Sequence, residues 1–538
     1  MEKFISEDRI VEFLKTKNAL FHTRKYSNVN EFMESTNIKQ PDYICITGYT
    51  QILSFIFTNI IDKIKNPIIL ITIESDVIDF KKEYLSHTKL KHWFSWNKSI
   101  KHPKLTCIPI GLNEDRHMDA MNNTINEHEE NLKEKKLLLV NFNPATNNER
   151  RKFFDYARKN WDFADILPHT HFPCEKSYFK KSLIEGQIKI EVTSKDFYKE
   201  LREYKFALSP AGAGIDCHRT WECLYLGVIP IVRKSEINEI YKNLPILVVD
   251  DWKDINEEML QINYKKIKSI NKPNQRAYLD FWTKLITISA YKKTLINYAN
   301  NVYFSQQKLN SRTGITHGGF DRVIEYNPTD IDKEFRSQHK KILDQPRGNG
   351  YWLWKPYFLL KTLQERIEYG EYLMYADSGA FFIKPIDEVI LEMENQNEQI
   401  GCFEIFGNTD KTWTKRDTYI IMDADTEEYA NSFQRMGGFQ IIKKTEKTIE
   451  FYKELLKYSI DLNCITDIPC KFGENYKQFR DHRHDQSIFS LLTKKNGIKC
   501  LKDISHWQFE SWGKDSAPGD YGIIVYGKNW QLVRNKFL

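Results

Sequence analysis

Short apolar runs alternate with polar helical stretches through the first half of the chain. Tyr43 to Gly48 is one such run and ends at a glycine; Pro67 to Ile73 is another. Between them, Gln51 to Lys65 places Ile52, Phe55, Ile56 and Ile60 on one helical face. A continuous run of this length reads as a strand buried on both faces, and the 3–4 spacing as the apolar stripe of a helix. The unit is therefore βαβ, and a parallel sheet begins early. Residues 1 to about 40 read as a helical or irregular lead-in, and the runs Phe94–Asn97 and Ile108–Asn113 complete the first half. Polar residues from 114 to about 135 form a link. Leu137–Phe142 then opens a second half with a buried strand, and Asn147–Arg151 starts the next helix. Helical segments follow at 254–267 and 275–294, with Asn271–Asn274 as a breaker. The strand-like run Asn301–Ser305 places a boundary near 295. The expectation is an α/β protein: a first Rossmann-like half over 1–134, a second over 135–295, and a further α/β domain over 296–538.

The stretch Phe206–Arg233 carries the first candidate chemistry. Phe206–Leu208 is a short strand, and Ser209–Gly214 breaks the chain with Pro210, Gly212 and Gly214. A helix starts at about Asp216, a good N-cap type, with Trp221, Leu224 and Tyr225 as its apolar face. Gly227 stops it, and Val228–Val232 is the next strand. A glycine-bearing turn lets backbone N–H groups approach an anion, and the helix N-terminus adds partial positive charge. Arg219 can add a bidentate contact to phosphate, while His218 and Glu222 share one helix face. A carboxylate there can accept from ribose hydroxyls. These residues point to a nucleotide-phosphate site at the carboxyl end of a parallel sheet; the alternative is an ordinary βα turn with a solvated polar face. Arg150 can reach the diphosphate from across the cleft, or be a surface arginine. Asp76 follows the strand ending at Ile73 and sits at the sheet's carboxyl edge.

The run Ser209–Val232, SPAGAGIDCHRTWECLYLGVIPIV, resembles the signature of exostosin-like glycosyltransferases. The similarity extends to Pro245–Trp252 and upstream to His102–Leu105 and Ile108–Asn113, so it covers roughly 90 to 260. It implies a GT-B-type fold, a sugar nucleotide held mainly by the second half through Ser209, Gly212, Gly214, Asp216, His218, Arg219 and Glu222, and catalysis without a bound metal. The base is expected from the first half, with Asp76 as its candidate.

The last third carries a different constellation. Gly348–Tyr357 leads into a helix from Phe358 to Tyr369, and Glu371–Ala376 is an apolar strand that delivers Asp377 at its end. A carboxylate placed there suits Mg²⁺ or Mn²⁺ bridging a diphosphate, and without a partner its burial is costly. A second cluster, Arg480–Ser487, puts Asp485 at a helix N-terminus. It is either a cap, or a carboxylate facing the sugar as base or as stabiliser of positive charge. The segments GYWLWKPYFLLKTL, YGEYLMYADSGAFF, MGGFQII and DHRHDQSIFSLL resemble GT-A-type glycosyltransferases of microbial polysaccharide loci, over roughly 300 to 510. That resemblance implies a metal at Asp377, with His506 as a further ligand, and Trp354 and Lys355 near the nucleotide sugar; packing is the other reading of Trp352, Trp354 and Lys355. The sequence departs from the Asp-x-Asp pattern of such folds, because Ser378 and Gly379 follow Asp377.

Composition narrows the classes. Lys and Arg total 79 against 73 Asp and Glu, a net charge of +6 with no long basic run, so nucleic acid is not indicated. Nine scattered cysteines without a Cys-x-x-Cys pair argue against a disulfide framework. His169, His171 and Cys174 imitate a zinc site but lack a second ligand pair. The first residues carry acidic groups and no apolar core of a signal peptide, and no stretch suits a membrane span, so a soluble intracellular protein is expected. Nucleotide sugars and a glycan acceptor are the expected partners, with Mn²⁺ or Mg²⁺ in the C-terminal domain. The leading reading is a bifunctional glycosyltransferase. The alternatives are one active transferase fused to a glycan-binding or structural module, a nucleotide-sugar epimerase or reductase, and a non-catalytic scaffold. Gly48-Tyr49-Thr50 does not match the Gly-x-Gly-x-x-Gly that a dinucleotide enzyme needs at its first βα turn.

Overall fold

The computed structural model describes residues 4–23, 40–127, 135–167, 194–269, 275–501, 503–505 and 524–525. The chain divides into two compact units, Met1–Ala290 and Tyr291–Leu538.

The first unit holds two five-stranded, all-parallel sheets. One contains β1 (Ala19–His22), β2 (Tyr43–Thr47), β3 (Ile68–Ile73), β4 (Leu90–Ser95) and β5 (Leu105–Cys107), in that spatial order. β2 and β3 are buried at every position, as their unbroken apolar sequences require. Ile44, Leu53, Ile60, Leu70 and Trp93 are part of its core. The helical stretch between β2 and β3 starts as an α-helix at Thr50–Phe55 and loosens into a wider turn at Ile56–Ile60 and a tighter one at Ile61–Lys63. The second sheet contains β6 (Lys136–Val140), β7 (Ala164–Ile166), β8 (Tyr204–Leu208), β9 (Ile229–Arg233) and β10 (Leu247–Val249), ordered β10-β9-β8-β6-β7. After β7 the chain returns to the other side of β6, so winding reverses between β6 and β8. Phe153 and Phe154 of the helix Asn148–Asn160, and Trp161 just after it, pack with Leu138, Val140, Leu208 and Trp252 in its core. The closing helix Leu279–Ala290 crosses back to the first half, against β3, β4 and the helix Glu7–Lys15. The α/β class and the pair of Rossmann-like halves are as expected.

The second unit is built on a mixed sheet. Its strands are β11 (Lys293–Tyr298), β12 (Arg322–Tyr326), β13 (Tyr372–Ala376), β15 (Ile400–Thr409), β16 (Phe433–Arg435), β17 (Phe439–Lys443) and β18 (Cys500–Leu501), while β14 (Phe381–Phe382) pairs with β19 (Ile524–Val525) apart from it. The order is β12-β11-β13-β17-β15-β16, with β18 beside β15; β12, β11 and β13 are mutually parallel, and β17 is antiparallel to β13. Winding reverses here too, between β11 and β13.

The boundary region corrects two sequence expectations. The helix ends at Ala290 rather than continuing to 294, and Lys293–Tyr298 is a buried central strand. Asn301–Tyr303 is a short helical turn leading into the helix Phe304–Thr316, so the strand-like run at 301–305 is not a strand. Val302 and Tyr303 are exposed, at 75% and 53%, which removes the burial that favours β-branched and aromatic residues in strands.

Candidate active sites

Ligands of open α/β sheets bind outside the carboxyl ends of the strands, where winding reverses. Each unit has one such crevice, and most of the candidate side chains lie around the two.

In the first unit, the crevice between β6 and β8 is flanked by the loop after Val140 and by the turn Ser209–Cys217. Asn147 caps the helix Asn148–Asn160 by accepting from the Arg150 amide at 2.8 Å, and its Nδ2 donates to the carbonyls of Ala211 and Gly212. Arg150, one turn into the helix, donates to the same turn, from Nε to Ala211 (2.9 Å) and from Nη2 to Pro210 (2.6 Å). Arg150 thus clasps the glycine turn, and burial pushes its pKa below the usual arginine value. A Cβ on Gly212 would sit 3.3 Å from the Arg150 guanidinium. Arg219 faces the crevice from the other wall. It donates to the Asn141 carbonyl (2.7 Å), pairs with Glu222 (3.1 Å) and stacks on Phe197 (4.4 Å). Glu222 is buried and also accepts from the Tyr198 hydroxyl. Two guanidinium groups thus flank a switch-point crevice, which is chemistry for an oxyanion.

Asp216, Gly214 and His218 of the signature face the first half. Asp216 is not the helix cap; Cys217 occupies that position. The Asp216 carboxylate is buried and accepts from the amides of Ile110 (3.0 Å) and Cys217 (3.0 Å), from Trp221 Nε1 (2.9 Å) and from the Tyr241 hydroxyl (2.9 Å). Burial raises its pKa against the lowering effect of these donors. Its amide donates to Asn97 Oδ1 (2.8 Å), whose Nδ2 donates to the Ser75 carbonyl. Gly214 is a glycine for space: a Cβ there would lie 2.5 Å from Asn97. His218 Nδ1 donates to the Gly111 carbonyl (2.7 Å), and Ser209 shares a buried hydrogen bond with Thr220. The buried Lys98 pairs with Glu239 across the same seam. Glu74 and Asn97 hold φ of +58° and +49°, uncommon conformations for such residues. Asp76 is exposed, just beyond Ser75 at the carboxyl end of β3.

In the second unit, Asp377 follows β13 at the β11/β13 crevice. The Tyr375 hydroxyl donates to its carboxylate (2.5 Å), its amide donates to the Gly438 carbonyl (2.9 Å), and Ser378 Oγ donates to the carbonyl of Tyr298 at the end of β11 (2.6 Å). Gly438 makes room for the carboxylate, since a Cβ would lie 3.0 Å from Oδ2. Behind this wall, buried Lys355 is 2.7 Å from buried Asp485, donates to the Gly437 carbonyl (3.1 Å) and lies over the Tyr375 ring. Burial pushes the Asp485 carboxyl up to about 6, opposed by Lys355 and reinforced by Asp377. Trp354 stacks on Tyr298 with ring centres 3.8 Å apart and donates to the Gly348 carbonyl.

The backbone that delivers this pair is strained. Gly348 to Trp352 all have positive φ, as does His484, the residue before Asp485. Only glycine adopts this region freely, yet Asn349, Tyr351 and Trp352 also occupy it. Tyr351 and Trp352 pack on the His484 ring at 4.8 and 5.4 Å, so the two strained segments brace each other. Such strain persists only where the surroundings over-determine it. A cavity of about 260 Å³ opens beside Asp377. Asn408, Gln434 and Gln486 line it with amides, Trp413 and Arg483 form another wall, and Ile405, Met436 and Phe439 supply apolar surface.

Among the described residues, no cluster of three His, Cys, Asp or Glu side chains can hold a metal ion. Asp377 offers one carboxylate, a donor set that fits Mg²⁺ or Mn²⁺ only with substrate phosphates and water completing the shell. His506, His169, His171 and Cys174 lie outside the described residues. Sequence reasoning missed Asn97, Asn147, Tyr375, Trp413, Arg483 and Gln486 as site residues. The pairing of Gly437 with Gly438 was the local sign of close approach at Asp377, whereas nothing near Trp413 marks it.

No sequence family and no curated protein matches the chain. Among solved structures, it is similar to mouse xyloside xylosyltransferase 1 in its apo form, with 11% identity and a TM-score of 0.26 over 44% of this chain and 97% of that one. It is also similar to a glycosyltransferase involved in the glycosylation of the major capsid of PBCV-1, with 8% identity and a TM-score of 0.25 over 45% of this chain and 98% of that one. Among the described residues, no helix is long and apolar enough to cross a membrane.

Proposed function

We propose that the protein is a glycosyltransferase that takes sugars from nucleotide-sugar donors and delivers them to a glycan acceptor. The observation that carries the reading is the second-unit crevice. There a carboxylate at a strand end shares a one-sugar cavity with three amides, a tryptophan and an arginine, backed by a strained, buried Lys355–Asp485 pair. Ligand sites for larger molecules run to roughly 300–1,000 Å³, so this volume suits a single ring. In transfer, the bond from the anomeric carbon to the diphosphate breaks, a bond to an acceptor hydroxyl forms, and the hydroxyl proton leaves to a base. The transition state carries positive charge on the sugar and negative charge on the leaving group. Asp377 and the Asp485 carboxylate behind it supply negative potential for the former; Lys355 holds Asp485 ionised at neutral pH. A divalent cation bound at Asp377 would neutralise the diphosphate.

The full reading is bifunctional. The first unit is a metal-independent GT-B-type site, in which Arg150 and Arg219 hold the diphosphate at the β6/β8 crevice. The second is a metal-dependent GT-A-type site. A second reading, one active transferase with a structural or glycan-binding partner, is favoured by the uptake of Ser209, Asp216, His218 and Glu222 in internal hydrogen bonds; it makes the second unit the active one. Donor hydrolysis by the full chain, across a panel of nucleotide sugars with and without Mn²⁺, separates these. Two activities are expected, the Mn²⁺-stimulated one lost in Asp377→Ala and the other in Arg219→Ala. Loss of all turnover in Asp377→Ala alone selects the single-site reading. A wild type that turns over no donor sinks both.

A further inference from the structure

Arg483 occupies a position that the transfer chemistry leaves unused. It is exposed, its guanidinium lies 4.3 Å from the Trp413 ring centre, and it lines the Asp377 cavity. Its amide donates to the Trp413 carbonyl (3.0 Å), and the Arg480 amide donates to Thr412 (2.9 Å), so the two segments are zipped along their backbones. Trp413 Nε1 donates to Asn408 Oδ1 (2.9 Å), which fixes the indole. Asp481, two residues away, is taken by Arg347 (2.6 Å), and among the described residues no carboxylate pairs with Arg483. A guanidinium held over an indole can keep its N–H edge free and has less rotamer entropy left to lose, the condition for a bidentate contact with an oxyanion.

The charge balance of the cavity selects the oxyanion. Among the described residues, Arg483 is its single cationic lining residue and Asp377 its single anionic one; the rest is amide and apolar. With the diphosphate served by the cation proposed at Asp377, the Arg483 guanidinium is left for a different anionic group. A sugar ring bearing one carboxylate matches the lining: the carboxylate against Arg483, the hydroxyls against Asn408, Gln434 and Gln486.

We propose that Arg483, stacked on Trp413, makes this cavity selective for an acidic sugar, a hexuronate, as the donor's transferred sugar or as the acceptor residue. The inference rests on the glycosyltransferase reading for its biological meaning but is measured by binding alone. Calorimetry on the full chain with Mn²⁺ compares UDP-glucuronate with UDP-glucose. Saturation-transfer NMR with UDP and Mn²⁺ present compares methyl glucuronoside with methyl glucoside. A charge-assisted bidentate contact predicts a preference for the uronate of about tenfold or more in one of the two comparisons. Arg483→Gln abolishes that preference, and Arg483→Lys, which keeps the charge but not the fork, retains part of it. Since Arg483 is exposed, its variants keep the wild-type melting temperature. Equal affinity for acid and neutral sugar in both comparisons overturns the proposal, as does a preference that survives in Arg483→Gln. A uronate preference in a protein that hydrolyses no nucleotide sugar leaves the proposal standing and removes the transferase reading; donor hydrolysis without any preference does the reverse.

Discussion

Lys355→Met tests the electrostatics of the second unit without adding bulk. Lys355 Nζ forms a buried ion pair with Asp485 at 2.7 Å, and such a close charge pair contributes about 1.5–3 kcal/mol, the low end of measured couplings. At 1.36 kcal/mol per pKa unit, its loss lifts the Asp485 carboxyl by about 1–2 units, from about 6 to about 7–8. In the wild type the folded pKa already lies above the ordinary aspartate value. Asp485 therefore supports the fold at low pH and withdraws that support as pH rises from about 4 to about 6. In the variant the withdrawal continues to about pH 7–8, because the folded protein there holds a proton that the wild type has lost. The stability gap between the two proteins consequently widens by about 2 kcal/mol between pH 5 and pH 8, on top of a pH-independent loss from the Gly437 carbonyl left without its donor. For a unit of this size that is about 4–8 °C of additional separation in melting temperature. Thermal unfolding of both full-length proteins at half-unit steps from pH 5 to 8.5 reads it directly. A gap that stays constant or narrows with rising pH refutes the pairing, since it means Asp485 does not ionise against Lys355.

Two predictions concern the first unit. Gly214→Ala places a Cβ within 2.5 Å of Asn97 and should lower the unit's stability by about 1–3 kcal/mol, visible as an earlier transition in urea. Asp216→Ala strips the partner from two backbone amides, an indole and a buried hydroxyl. It should cost at least about 3 kcal/mol and release limited proteolysis between the two halves, whereas an unchanged urea midpoint would show that water replaces the carboxylate.

Much of the fold is legible in local pattern. Strands β2 and β3 are near-continuous apolar runs, and glycine and proline mark the turn after β8. The helix ending at Ala290 runs almost directly into the strand Lys293–Tyr298, and apolar content alone does not separate strand from helix there. Val302-Tyr303-Phe304 has the composition of a strand but lacks the burial, and composition does not report burial. Asp216 illustrates the other limit. An aspartate before a helix looks identical whether it caps that helix or reaches across to a different sheet; only the approach of Ile110 and Asn97 decides. The crevices themselves follow from strand order, which depends on where each crossover returns, and no stretch of local sequence records that.

The Asp216 seam also sets how the first unit can move. Its carboxylate joins Ile110 of one half to Trp221 and Tyr241 of the other, and its amide holds Asn97. Pulling the halves apart there would leave several buried polar groups bare at once. Translation at that edge is thus resisted, and rotation about a fulcrum next to the β6/β8 crevice is the freer motion. Arg150 and Arg219, riding on the second half close to that fulcrum, would travel little in such a swing, while the far rims of the two sheets would sweep the widest arc. On the proposed reading, a phosphate held by the two arginines would keep its contacts whether the cleft stood open or shut.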